Sequence, residues 1–141
     1  MKKKKIITGV AGFVGFSTCR NILEKKGIVI GIDNLNNYYD VEIKKSRLKI
    51  LKRYKNFIFF NLDLRNQKKL FSRLKKHKFE TIFHFAAQAG VRHSILNPKD
   101  YVENNIVATF NILELCKIKK INHLILASTS SVYGLTKNKK I

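Results

Sequence analysis

The sequence predicts an α/β fold: one doubly wound parallel sheet with helices on both faces. Three observations predict it. Apolar runs alternate with helical patterns in the order β-α-β-α-β-α-β-α-β, and that alternation implies crossover connections between parallel strands. The runs are continuously apolar, as strands buried on both faces are. Glycines recur every third residue, at Gly9, Gly12 and Gly15, between the first strand and the first helix.

Taken in order, the elements are strand "KIIT", a helix to Lys26, strand "IVIGID", a helix from about Val41, and strand "FIFFNLDL". A helix near Lys68, strand "TIFHFAA", a helix from about Pro98 and strand "HLILAST" complete the set. In the first helix Gly12, Gly15, Cys19 and Ile22 fall on one stripe, which places that face on the sheet. In the helix from Pro98, Val102, Asn105 and Thr109 share a face, so the Asn105 amide points inward and needs partners. The "GVRHS" segment reads as a loop, with His93 solvated. No repeat or linker divides residues 1–141, which are expected to form one domain.

Composition excludes several classes. Hydrophobic residues make up 45% of the chain, enough for a core. Cys19 and Cys116 stand far apart with no C-x-x-C pairing, which argues against a disulfide framework or a zinc site. The segment Ile6–Phe16 after the opening lysines has the look of an export signal, but Phe16-Ser17-Thr18 before Cys19 is a poor cleavage site. No run approaches the roughly 18 apolar residues of a membrane span, so a soluble, cytoplasmic protein with no membrane partner is expected. The 29 Lys and Arg against 9 Asp and Glu give +20, which suggests a nucleic-acid partner. The lysines are scattered over the whole chain, however, and Lys, Ile, Asn and Phe share AT-rich codons. Compositional drift therefore accounts for the charge, and no nucleic-acid partner is expected.

The glycine spacing has a chemical reading. One glycine permits a tight turn, one lets the backbone approach a diphosphate, and one lets helix and strand pack closely. Free amides and the helix dipole, around Phe13 and Val14, attract phosphate. The second strand ends in Asp33, 24 positions after Gly9, where a dinucleotide fold places an acid that binds both ribose hydroxyls and repels a 2′-phosphate. NAD is favoured over NADP; the bland alternative makes Asp33 a turn residue.

The motifs "TGVAGFVG", "GIDNLNNYYD", "NLDLRN", "HFAAQAGVRHS", "NNIVATFNILE" and "STSSVYG" resemble, in that order, the extended short-chain dehydrogenase/reductases. Among these the likeness is to NAD-dependent nucleotide-sugar epimerases, especially UDP-glucuronate 4-epimerases. The resemblance implies a Rossmann-type sheet of strand order 3-2-1-4-5, truncated here to its amino-terminal, NAD-binding portion. It implies epimerisation at C4 of a UDP-sugar by transient hydride transfer. Residue by residue, it implies adenosine-ribose contacts at Asp33 and Asn34, adenine flanked by Asp63 and Leu64, and Ala86, Ala87 and Gln88 under the cofactor. Asn105 matches a cofactor-side asparagine, although a helix-to-loop clamp is an equal reading. Ala108 stands where relatives usually have glycine.

Thr129 matches the active-site Ser/Thr that bonds the sugar oxygen at the reacting carbon, with Ser130 and Ser131 beside it. Sugar 4,6-dehydratases have an acid pair at those two positions, so elimination lacks a proton shuttle here. A Ser/Thr-rich strand end can also merely cap local backbone. Arg92 invites a guanidinium contact to the uronate carboxylate or a diphosphate, or is a surface residue. The family needs a Tyr-x-x-x-Lys pair on one helical face. Tyr133 and Lys137 match it only in letters, because at an extended strand end they lie about 13 Å apart against about 6 Å in a helix. The working pair is expected beyond Ile141, so the chain alone should be inactive, the fifth strand's outer edge should be unpaired, and a homodimer or complementing chain is conceivable. Rival readings are a noncatalytic NAD-binding module, a nucleotide-sugar dehydratase and a basic nucleic-acid-binding domain.

Overall fold

In the computed structural model, which describes residues 4–134, the strands are β1 (Lys4–Thr8), β2 (Ile28–Asp33), β3 (Phe57–Asn61), β4 (Phe79–His84) and β5 (His123–Leu126). They form one sheet in the order β3-β2-β1-β4-β5, every pair parallel. The helices are α1 (Phe13–Glu24), α2 (Val41–Leu51), α3 (Gln67–Leu74), α4 (Val91–Leu96), α5 (Pro98–Tyr101) and α6 (Ala108–Lys119). This is the Rossmann-type doubly wound sheet that the motif resemblance implies.

Strand side chains point to alternate faces, and the core divides accordingly. Ile6, Ile30, Ile32 and Ile82 face Leu70 and Leu74 of α3 and Ile112 and Leu115 of α6. Ile7 and Val29 face Cys19 and Leu23 of α1 and Leu48 and Leu51 of α2. Each fully buried aliphatic side chain contributes roughly 1.5–3 kcal/mol, so both helical layers are held to the sheet by the strands' uninterrupted apolar runs. The Asp40 carboxylate accepts from Glu42 N at 2.8 Å to start α2, and Asn66 Oδ1 accepts from Lys69 N at 3.0 Å to start α3. Lys120, with φ of 50°, ends α6 in the left-handed region.

Four local expectations need correction. The runs "FIFFNLDL" and "TIFHFAA" leave the ladder early: Leu62 N still donates to Asp33 O at 3.0 Å, but further on, and directly beyond His84, the amides find side-chain acceptors. Arg65 N donates to Asp63 Oδ1 at 2.9 Å, and the N–H groups of Phe85 and Ala86 both donate to Thr8 Oγ1 at 3.2 Å. In α1 the buried stripe runs Gly15, Cys19, Leu23, with Ile22 only half-buried. "GVRHS" is not a loop: it forms α4, and His93 is half-buried between Tyr38 and Tyr101 with its Nε2 3.1 Å from Asp100 Oδ2. The helix from Pro98 is not regular, since residues Val102–Val107 form a π turn. That turn changes the rotation per residue, and Val102 ends up 49% exposed instead of sharing a face with Asn105 and Thr109. Among the described residues no helix is long and apolar enough to cross a membrane.

Candidate functional site

The order of the sheet reverses between β1 and β4, where crossovers leave toward opposite faces and open a crevice beyond the strands' carboxyl ends. The crevice is open to solvent, with a cavity volume of about 130 Å³. Its floor is the glycine turn. Gly9 has φ of +66°, and Gly12 N donates back to its carbonyl at 3.0 Å. A Cβ on Gly15 would lie 2.1 Å from Gly9 O, so only glycine lets α1 start against the turn. The first N–H groups of a helix lack intrahelical acceptors, and those of Phe13 and Val14 are among them.

Asp33, at the end of β2, is 8% exposed. Its Oδ2 accepts from Ala11 N at 3.0 Å and its Oδ1 from Leu35 N at 2.9 Å, so the carboxylate pins the glycine turn to the β2–α2 segment. It is a turn residue and a crevice-lining acid at once, since a carboxylate has about four acceptor sites and two are engaged here. Asn34 also lines the crevice, with Oδ1 accepting from Asn36 N at 3.1 Å.

Sequence reasoning missed the neighbouring cations. Lys44 is 4% exposed and lines the crevice. Its Nζ donates to Asn36 O at 2.7 Å and Asn36 Oδ1 at 2.6 Å and sits 4.3 Å above the Tyr39 ring. Burial pushes its pKa below the ordinary lysine value, with the Asp33 charge opposing. One turn on, Arg47 Nη1 donates to Ala11 O at 3.1 Å. The missed signal was periodicity, because Lys44 shares the buried stripe of Leu48 and Leu51.

At the far wall, Asp63 is gripped by Arg65 through Nε and Nη2, which holds its carboxyl below the usual range. Arg65 Nη1 also reaches Glu103 of the π turn at 2.7 Å. Leu64 is buried against Ala108, and buried Asn111 donates to the carbonyls of Leu64 and Arg65. Opposite, Ala86, Ala87 and Gln88 line the crevice. Asn105 makes the helix-to-loop clamp: Oδ1 accepts from Gln88 N at 2.7 Å and Nδ2 donates to Gln88 O at 3.0 Å.

Buried His84 ties these parts together. Thr8 Oγ1 already accepts two backbone N–H groups, so its hydroxyl donates to His84 Nδ1 at 2.7 Å, and the imidazole is therefore protonated on Nε2, facing Thr109 Oγ1 at 3.0 Å. Burial pushes its pKa from 6.5 down to about 4. The unfolded chain thus binds this proton more tightly than the folded one. Stability is full above pH 6.5 and falls as pH drops from there toward 4, by roughly 3 kcal/mol for this group. Urea unfolding at pH 7 and pH 4 should show that slope, and His84→Gln should flatten it.

The remaining candidates lie apart from the crevice. Thr129 is exposed and caps the turn Ser130–Tyr133, its Oγ1 accepting from Ser131 N at 3.2 Å and donating to Ser131 Oγ at 3.3 Å. Ser130 and Ser131 are exposed with it, and Arg92 is exposed on α4. Tyr133 is 73% exposed, and Lys137 lies outside the described residues. Burial raises the Cys19 thiol to about 12, which leaves it inert as a nucleophile. No metal-binding cluster occurs among the described residues.

Comparison with known proteins agrees with this fold. UDP-glucuronate 4-epimerase of Thermodesulfobacterium geofontis is 44% identical over 129 residues, which cover 92% of this chain and 40% of that protein. A probable UDP-glucuronate 4-epimerase of Rhizobium meliloti is 43% identical over 136 residues, covering 96% and 39%. The crystal structure of UDP-glucuronic acid 4-epimerase from Bacillus cereus with UDP-glucuronic acid and NAD superimposes with a TM-score of 0.84 at 34% identity, over 96% of this chain and 43% of that one. The chain thus spans about 40% of the length of these two relatives. The family described as GDP-mannose 4,6 dehydratase matches residues 6–141, and with its crevice, glycine turn and strand order in place, the chain belongs to that family.

Proposed function

We propose that this chain binds NAD and is the cofactor-binding portion of a UDP-glucuronate 4-epimerase. The observation that carries the reading is Asp33, buried at the crevice with each oxygen holding one backbone amide and further lone pairs left for ribose hydroxyls. The residues present fit the cofactor: the glycine turn has no room for a Cβ at Gly9 or Gly15, and Leu64, Ala86 and Ala87 offer small or apolar walls.

In this reading Gly9, Gly12 and Gly15, with the amides of Phe13 and Val14, receive the diphosphate. Asp33 and Asn34 hold the adenosine ribose, and Asp33 repels a 2′-phosphate. Asp63 and Leu64 flank the adenine, Ala86, Ala87 and Gln88 lie beneath the cofactor, and Asn105 fixes that segment through Gln88. Bound NAD supplies reversible oxidation at C4 of the sugar. Thr129 would bond the oxygen at that carbon, Arg92 the uronate carboxylate, and Ser130 and Ser131 provide no acid for elimination. The choice of UDP-glucuronate rests on the relatives' names and on this serine pair.

A polypeptide of these 141 residues is expected to bind NAD at least tenfold tighter than NADP, since a fixed carboxylate against a phosphate costs more than 1.4 kcal/mol, and to leave UDP-glucuronate unchanged. Competitive titration of both dinucleotides, with chromatography of the sugar nucleotide, tests both points. Equal affinity for NADP would overturn the role of Asp33.

A further inference from the structure

We propose that the end of the molecule opposite the crevice, where the strands begin, is a docking face for an anionic lipid leaflet. Helices that cross between parallel strands all finish at that end. The connections there are short, residues 25–27, 52–56, 75–78 and 120–122. Lys25 and Lys26 follow α1, and Lys52, Arg53 and Lys55 follow α2. Lys75, Lys76 and Lys78 follow α3, Lys117 and Lys120 close α6, and all of these cations are exposed. Along the chain they are scattered; the fold puts them on one face.

Composition explains how many lysines there are, but not where the acids stand. Asp33, Asp40, Glu42, Asp63, Asp100 and Glu103 all lie at the crevice end, between a strand's last residue and the helical segment that follows it. Glu114 stands midway along α6. Among the described residues only Glu24 and Glu80 belong to the opposite end, and both are paired, Glu24 with Arg20 at 2.8 Å and Glu80 with Lys5 at 3.5 Å. A cation in a helix's last turn also complements the helix dipole, but that effect fades within the turn. Lys55 and Lys78 stand past the caps Lys52 and Lys75 and so outside its reach.

The face is held in shape. Lys119 Nζ donates to Lys75 O at 2.7 Å, which joins the ends of α3 and α6 in spite of their like charges. On the other side Asn56 Nδ2 donates to Leu23 O at 3.3 Å and to Gly27 O, which joins the connections after α1 and α2. The positive field reaches half-buried His77, whose pKa is pushed below its ordinary value by burial and then by the charges of Lys4 and Lys119.

Shape separates a leaflet from other polyanions. α1 and α2 pack on one side of the sheet and α3 and α6 on the other, so cations flank both sides of a five-stranded end about 20 Å wide. Among the described residues no element projects from it as a groove-reading helix would. A rod such as duplex DNA meets this area along one line, whereas a leaflet meets all of it. Each Lys or Arg near an anionic leaflet strengthens binding about fivefold, and the crevice at the far end stays open.

The test is flotation of the folded 141-residue polypeptide with phosphatidylcholine vesicles, plain or with roughly one-third phosphatidylserine, in about 0.1 M salt. Binding to the anionic vesicles alone is expected. Lys25→Gln, Lys55→Gln, Lys76→Gln and Lys78→Gln, made together, should weaken it about 100-fold or more. Lys45→Gln, Lys68→Gln, Lys69→Gln and Lys99→Gln, an equal change of charge toward the crevice end, should weaken it less than about tenfold. Circular dichroism melts of both sets should match the parent's, since every replaced side chain is exposed. NAD titration of the first set should match the parent's too, so this inference and the NAD-binding reading fail separately. No binding to anionic vesicles, or equal losses in the two sets, would overturn the proposal. Tighter binding of duplex DNA than of vesicles at matched anion concentration, lost in the first set, would also overturn it and assign the face to nucleic acid.

Discussion

Gly15→Ala should destabilise the fold by roughly 3 kcal/mol, the upper end of the usual cost of overpacking, and weaken NAD binding by about 100-fold. The added methyl would lie 2.1 Å from Gly9 O, 2.8 Å from Gly9 C and 3.0 Å from Val10 Cα. All three are backbone atoms, so no rotamer change can relieve the contact. The turn cannot retreat either, because the Cβ direction of Gly9 already faces Ala86 N at 2.8 Å. Helix α1 must therefore move away from the turn, and a displacement near 1 Å in a positioned site costs on the order of 10²-fold. Ser17→Ala, on the exposed side of the same helix, serves as the control and should change neither property. Circular dichroism melts and calorimetric titration of NAD measure the two effects.

Asp33→Ala should produce the second large effect, because it removes two structural bonds and the proposed ribose contact together. The amides of Ala11 and Leu35 would each lose an acceptor. Ala11 is fully buried, and an orphaned buried donor costs roughly 1–3 kcal/mol. Loss of the charged acceptor should also weaken NAD binding by about 100-fold, from hydrogen bonds to a charged group of roughly 1.5–3 kcal/mol each. Asp33→Asn separates the contributions. It keeps one acceptor oxygen and turns an NH2 toward the other amide, so its stability should fall between parent and alanine variant. With the charge gone, NADP should approach NAD in affinity. A variant that lost stability but kept its dinucleotide preference would leave Asp33 a structural residue alone.

The parts of the fold legible in the sequence were those fixed by apolar continuity and by residues with one physical use. Each strand carries a short apolar run bounded by polar or glycine residues, so all five appeared at their places even though β3 and β5, at the sheet's edges, are only half-buried to exposed, and Gly9, Gly12 and Gly15 with Asp33 located the crevice. The strand ends were less legible. Whether Phe85 and Ala86 stay in the ladder depends on Thr8 Oγ1, more than 70 residues away in sequence. The clamp made by Asn105 was foreseeable as one of two readings, but the π turn around it was not, since its letters carry an ordinary helical pattern. Lys44 was hidden by composition: in a chain with 29 basic residues, a lysine on an apolar stripe passes for one more surface charge. His93 was misplaced because its partners Tyr38 and Tyr101 lie on other elements.

Calorimetric titration of NAD into the purified 141-residue polypeptide, with its fold verified by circular dichroism, bears most directly on the role of the glycine turn and Asp33. Saturable binding at one site per chain, with a Kd below 1 mM, is the expected result. A folded protein giving no saturable heat at millimolar NAD would contradict it.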